Sequence, residues 1–309
     1  MEKKFIHTYQ GMKQYLIDME KLYKSRICLH TLGITADKRE IIEASLGYRN
    51  ASRHILIHAA VHGREYGNTA LVLALIEDYL QDSFQKNHLS LIKDVCFHLI
   101  PMVNPDGVVI SQQGPKGIQN LQLRKRLLLC RKRDQKYEKS FSDEQTYFRK
   151  WKANARGVDI NRNFNSGWKK YIGSPWPSFA GYKGKSPESE KETQALLKAA
   201  RRWSPCCCIS FHSCGNLIYW NYGCKGKLLV EDKKLAQCIR KITGYDLHST
   251  INARTQRAGC SDYFMEKLRI PSVTIETGST ECPLPIREYS RIYRQFLMLL
   301  PTLTFLYGK

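Results

Sequence analysis

The sequence predicts an α/β fold: a single domain with a mostly parallel, mixed central sheet flanked by helices. Three observations lead there. Short apolar runs recur along the chain, and each stops abruptly at polar residues. Segments with helical periodicity lie between these runs, the alternation expected of parallel strands joined by crossovers. A chain of 309 residues is long enough to bury a full core in one unit.

The elements follow in chain order. Met12–Leu22 reads as an amphipathic helix and Glu40–Leu46 as an early strand. Residues 1–47 are too short and too polar to stand alone. They are read as a helix and strand leading into a domain over residues 48–309, one structural unit overall. His54–Val61, Val95–Val103, Cys206–Phe211 and Ser272–Ile275 are apolar runs of the length expected for strands covered on both faces. Helical patterns occupy Thr69–Leu80, Glu188–Trp203, Glu231–Thr243 and Ile286–Leu300. Ser186 and Pro187 suit the N-cap and first position of the second of these. No linker, repeat or low-complexity stretch interrupts the pattern.

The polar residues that end the four runs carry chemistry. His54–Val61 leads into His62-Gly63-Arg64-Glu65, the next run into Asn104-Pro105-Asp106-Gly107, the third into His212 and the last into Glu276. Ligands of open α/β sheets bind at the carboxyl ends of strands, where all these groups fall. Two histidines and a glutamate are one donor set for a catalytic zinc, which keeps its fourth position open for water. His62 and Glu65 lie on one turn with His212 far along the chain, a pattern unlike the paired cysteines of closed structural sites. Glu276 is placed to be a general base. An H-x-x-E alone is weak, and its place at a strand end is what gives it weight. Asp159 reads as a carboxylate that orients a ligand histidine, and Asn104 and Asp106 as turn formers near the site. His54, His58 and His98 alternate with apolar residues and read as core groups.

With His62-Gly63-Arg64-Glu65, Asn104-Pro105-Asp106-Gly107, Gly157–Phe164 (Gly-Val-Asp-Ile-Asn-Arg-Asn-Phe), Phe211-His212-Ser213 and Thr274–Gly278 (Thr-Ile-Glu-Thr-Gly) in this order, the chain resembles the zinc carboxypeptidase (carboxypeptidase A-like) family over nearly its whole length. The two-histidine, one-glutamate set is that family's known one, so the resemblance implies it. It implies one zinc per chain on His62, Glu65 and His212, Glu276 activating the attacking water, and Asn161 with Arg162 gripping the substrate's terminal carboxylate. An arginine fork suits a carboxylate.

Within the family, the stretch Trp151–Asp159 (Trp-Lys-Ala-Asn-Ala-Arg-Gly-Val-Asp), Gly215–Trp220 and Ile270-Pro271-Ser272 resemble the bacterial branch that cleaves γ-D-glutamyl-meso-diaminopimelate in peptidoglycan peptides. The implied partner is an acidic, cell-wall-derived peptide, and the alternative is a general metallocarboxypeptidase acting on ordinary peptides. Two departures from the digestive pattern stand out. The loop Ile251–Arg257 lacks the family's tyrosine, leaving Arg254 or Arg257 to face substrate, and Lys152 stands where an oxyanion-stabilising arginine is expected. Ser261, at the expected pocket floor, is neither acidic nor large and apolar.

The eleven cysteines have no paired spacing and argue against a disulfide framework. No run reaches signal-peptide or membrane-span length, so a soluble, cytoplasmic protein without membrane contact is expected. The net charge of +21 is not required by any of this. Much of it sits between residues 114 and 156, where thirteen Lys or Arg against four Asp or Glu leave +9. This is either a solvated face or a positive rim that attracts acidic substrates. The remaining alternative, a non-enzymatic basic protein that binds nucleic acid, is disfavoured because no nucleic-acid-binding motif accompanies the charge.

Overall fold

The computed structural model describes residues 4–48, 50–81, 94–136, 143–250, 257–279 and 281–308. The expected α/β architecture is present as one eight-stranded mixed sheet. Its strands are β1 (Ile27–Ile34), β2 (Glu40–Leu46), β3 (Arg53–Ala59), β4 (Val95–Ile100), β5 (Cys207–Ser213), β6 (Leu217–Trp220), β7 (Asp246–Ser249) and β8 (Ser272–Thr277). The spatial order is β1-β2-β4-β3-β5-β8-β6-β7. The four central strands β4, β3, β5 and β8 run parallel, so their carboxyl ends share one edge. Antiparallel pairing adds β2 to β4 and β6 to β8. The β1–β2 pair thus extends the same sheet.

Burial explains the apolar runs. Every residue of β4 and of β5 is buried. Alternate residues of β3 feed two different cores, Ile55 and Ile57 on one side and Leu56 on the other, as the period of two requires. The first core takes the helices Tyr9–Leu22, Gly67–Leu80, Gly226–Thr243, Ile286–Phe296 and Leu299–Tyr307, and the second takes Lys191–Trp203. Cys207 and Cys208 are buried strand residues, and all eleven cysteines are free.

Several boundaries differ from expectation for visible reasons. Ser186 and Pro187 do not open a helix, which begins instead at Lys191. Asn163 organises the preceding turn: its amide donates to the carbonyls of Lys183 and Ser186, and its oxygen accepts from the Glu190 N–H. Glu188 sits there in the left-handed region at φ 60°, incompatible with a helical start. Asn104 is the N-cap of a helix over Pro105–Gln113, its side chain accepting from the Gly107 N–H. The pattern over Ile286–Leu300 divides into two helices at the exposed pair Leu297 and Met298. Among the described residues, no helix is long and apolar enough to cross a membrane.

Candidate active site

β3 leaves the sheet at Ala59, and the next residues form a single tight turn, Gly63–Glu65, with His62 flanking it. Gly63 is required there by space: a Cβ would lie 2.3 Å from the Gly107 carbonyl oxygen. The turn therefore packs directly on the start of the Pro105–Gln113 helix. Asn104 fastens the two, donating to the carbonyls of Val61 at 3.0 Å and Ala153 at 3.1 Å. On the other side Asn68 donates to the His212 carbonyl at 2.9 Å and accepts from the Thr277 hydroxyl at 2.7 Å, tying β5 to β8.

This scaffold brings His62, Glu65 and His212 together. Glu65 Oε1 is 2.8 Å from His62 Nδ1 and Oε2 is 2.8 Å from His212 Nδ1. The two Nδ1 atoms are 3.2 Å apart, with ring planes at 62°. Both Nδ1 atoms thus face the same carboxylate. All three side chains are buried, and their ligand atoms lie within 4.8 Å of one another. Asp159 Oδ1 is 3.3 Å from the outer nitrogen, Nε2, of His62, the place of an orienting carboxylate. The donor set and its burial fit a zinc ion.

The other histidine cluster, His54 with His98, differs. With Cys96 they form a second group of possible ligands, in which His54 Nδ1 and His98 Nε2 are 2.9 Å apart, an N–H···N hydrogen-bond distance, and the rings are stacked at 28°.

Charge in the site is tightly coupled. Burial opposes ionisation of Glu65, but the His62 and His212 imidazoles beside it hold its carboxyl well below the usual range. Burial lowers His212 to about 4 despite Glu65. Burial works against protonation of His62 as well, yet Glu65 and Asp159 outweigh it and the net direction is up. Glu276 is pushed up to about 8, first by burial and then by the Glu65 charge.

A cavity of about 200 Å³ opens beside these groups and is lined by His62, Lys152, Asn161, Arg162, His212, Ser261 and Glu276. The residues expected from sequence are thus gathered in one place, except Arg254, which lies outside the described residues. Lys152 has no ion pair among the described residues. Arg162 donates to the Asn161 carbonyl at 2.7 Å, and its guanidinium sits 5.3 Å from the Tyr171 ring centre. Asn161 Oδ1 accepts from the Cys260 N–H at 2.9 Å, and the Ser261 hydroxyl meets that of Thr274 at 2.9 Å. Tyr219, Tyr222, Gly259, Asp262 and Thr274 complete the lining; Tyr219 and Thr274 fall within motifs read from the sequence, but none of the five was given a role there.

A larger groove of about 830 Å³ lies elsewhere, lined by Lys125, Arg126, Arg133, Arg156 and Lys185 among others. Among the described residues it has no metal-ligand cluster. Of the described residues of the basic segment 114–156, Lys152 alone lines the cavity beside His62.

Carboxyl-end placement on a mixed α/β sheet, a two-histidine, one-glutamate cluster and an adjoining carboxylate define a metallopeptidase type of centre. Residues 12–301 match the zinc carboxypeptidase family, and the chain belongs to it. The chain is 29% identical over 256 residues to γ-D-glutamyl-L-diamino acid endopeptidase 1 of Lysinibacillus sphaericus, a match that takes in 80% of this chain and 60% of that one. It is 25% identical over 250 residues to human mast cell carboxypeptidase A, covering 78% of this chain and 53% of the relative. The chain thus spans under two thirds of the length of both relatives. In structure it resembles thrombin-activatable fibrinolysis inhibitor, with TM-score 0.75, 20% identity and coverage of 97% and 76%.

Proposed function

We propose that this chain is a zinc-dependent peptidase that hydrolyses the bond next to a C-terminal residue, and that the bond is γ-D-glutamyl-meso-diaminopimelate in peptidoglycan peptides. One observation carries the reaction: the Nδ1 atoms of His62 and His212 converge on Glu65, with Glu276 and Arg162 on the wall of the same cavity. His62, Glu65 and His212 would hold a single zinc. When bound, the zinc supplies Lewis-acid polarisation of the scissile carbonyl and makes water acidic enough to attack near pH 7.

The protein's own groups do the rest. Asn161 and Arg162 bind the free carboxylate of the terminal residue and so set which bond lies over the centre. Glu276 accepts the water's proton and passes it to the departing amine. Lys152 places positive charge where the carbonyl oxygen becomes an oxyanion. Ser261 and Arg254 are assigned to the pocket for the released residue. Asp159 holds the His62 ring in orientation.

The peptidoglycan substrate is supported by the similarity to the L. sphaericus endopeptidase, and Ser261 on the cavity wall, neither acidic nor large and apolar, does not indicate a preference for basic or aromatic ends. The general carboxypeptidase reading is favoured by the match to mast cell carboxypeptidase A. Purified protein incubated with L-Ala-γ-D-Glu-meso-diaminopimelate and with ordinary L-peptides, followed by mass spectrometry, separates the two. Free diaminopimelate from the first supports the proposal, and release of aromatic or basic ends from the second alone supports the other.

A further inference from the structure

We infer that Asp262 and Arg257 form a subsite for a zwitterionic side-chain end on the released residue, an ammonium and a carboxylate on one carbon. The inference rests on the cleavage reaction proposed above. Asp262 and Tyr222 line both the cavity beside the metal ligands and an adjoining one of about 490 Å³. The two cavities therefore adjoin at these side chains. Asn161 and Arg162 stand in the first cavity, and Arg257, Lys169 and Lys170 in the second.

The charges of this passage are unspent. Asp262 Oδ2 accepts the Gly259 N–H at 3.0 Å, and no cationic side chain pairs with it among the described residues. Arg257, Lys169 and Lys170 have neither an ion pair nor a side-chain hydrogen bond there. The other acid of the second cavity, Glu266, is already engaged by the Ser166 hydroxyl and by Lys267 at 2.9 Å. Gly167, at φ 63°, leaves room for the Arg257 stem, since a Cβ would stand 3.1 Å from Arg257 Cδ. Burial raises Asp262 to about 6, against the pull of Arg162 and Arg257, and an arriving ammonium would restore its charge.

Consider a released residue whose α-carboxylate is on Arg162. An aliphatic side chain entering this passage would desolvate Asp262 without a partner, which is costly. A lysine side chain would satisfy Asp262 and leave Arg257 unanswered. An ammonium and carboxylate together answer both, and the distal end of meso-diaminopimelate has that form. Asp262 also caps the short turn at Cys260, so a purely structural role must be separated from charge recognition.

The test uses the zinc-loaded enzyme and three tripeptides, L-Ala-γ-D-Glu-X, with X meso-diaminopimelate, L-lysine or L-norleucine. The wild type should prefer them in that order by kcat/KM. Arg257→Gln should reduce the diaminopimelate-to-lysine preference about tenfold, and Asp262→Asn, which keeps an oxygen for the Gly259 N–H, should reduce the lysine-to-norleucine preference about tenfold. Ratios within one preparation are independent of the fraction folded. Cleavage of the diaminopimelate tripeptide with both ratios unchanged would overturn the subsite and leave the reaction standing. Failure to cleave any of the three would overturn both.

Discussion

His212 on β5 and Glu276 on β8 are register partners across two parallel strands. A metal-ligand candidate and its neighbouring carboxylate are therefore positioned by the sheet and not by a loop. A one-residue slip of β8 would turn Glu276 to the opposite face. The Asn68 bridge between the His212 carbonyl and Thr277 secures that register.

The first prediction concerns the metal. Elemental analysis of protein purified without chelator should find a single zinc per chain, and His212→Ala should lose most of it. Zinc held a thousandfold above its dissociation constant adds about 4 kcal/mol to folding stability. Chelation should therefore lower Tm in the wild type and hardly in the variant.

Glu276→Gln should behave differently, keeping zinc while kcat falls roughly 10²- to 10⁴-fold, the usual worth of a general base. A base works ionised, and Glu276 is held up at about 8 by burial and by Glu65. Activity should thus fall as pH drops through its pKa. Bound zinc offsets the Glu65 charge, so the limb in the loaded enzyme should lie below 8. A variant with near-normal kcat would remove Glu276 from this role.

Arg162→Ala removes the fork for the terminal carboxylate. Losing such a buried charged contact costs about 2 to 5 kcal/mol, or tens to thousands of fold in kcat/KM. Substrate amidated at that carboxylate should show the same loss with the wild type. A full rate on the amidated substrate would contradict the grip.

Glu192 gives a pH prediction remote from the zinc cluster. Burial, with the negative charges of Asp106 and Glu190, raises its pKa from 4.5 to about 8. Below the unfolded value both states carry the proton. Between the two values only the folded chain keeps it, so stability falls with rising pH by up to about 1.4 kcal/mol per unit and levels off above the folded pKa. In Glu192→Gln that slope should vanish. Thermal unfolding should show the variant gaining on the wild type between pH 5 and about 8, and parallel curves would refute a protonated Glu192.

The sequence exposed most of the centre because its parts terminate buried strands, and burial on both faces leaves largely apolar runs as at β4 and β5. Other parts were hidden for physical reasons. The Leu121–Asp134 helix buries Leu123, Leu127, Cys130 and Asp134 at helical spacing, but exposed Leu121, Leu128 and Leu129 blur the stripe. β7 is largely exposed and offers no alternation to read. Tyr222 and Asp262 meet in the cavity wall from separate segments, and no local pattern announces that meeting. Ser186 and Pro187 imitated a helix start because the side chain that overrules them, Asn163, is distant in sequence.

Product analysis by mass spectrometry tests the central claim most directly. Zinc-loaded wild-type protein should convert L-Ala-γ-D-Glu-meso-diaminopimelate to L-Ala-D-Glu and free diaminopimelate, and Glu276→Gln that still holds zinc should not. An intact tripeptide beside rapid release of aromatic or basic residues from ordinary peptides would contradict it, as would turnover undiminished in the variant.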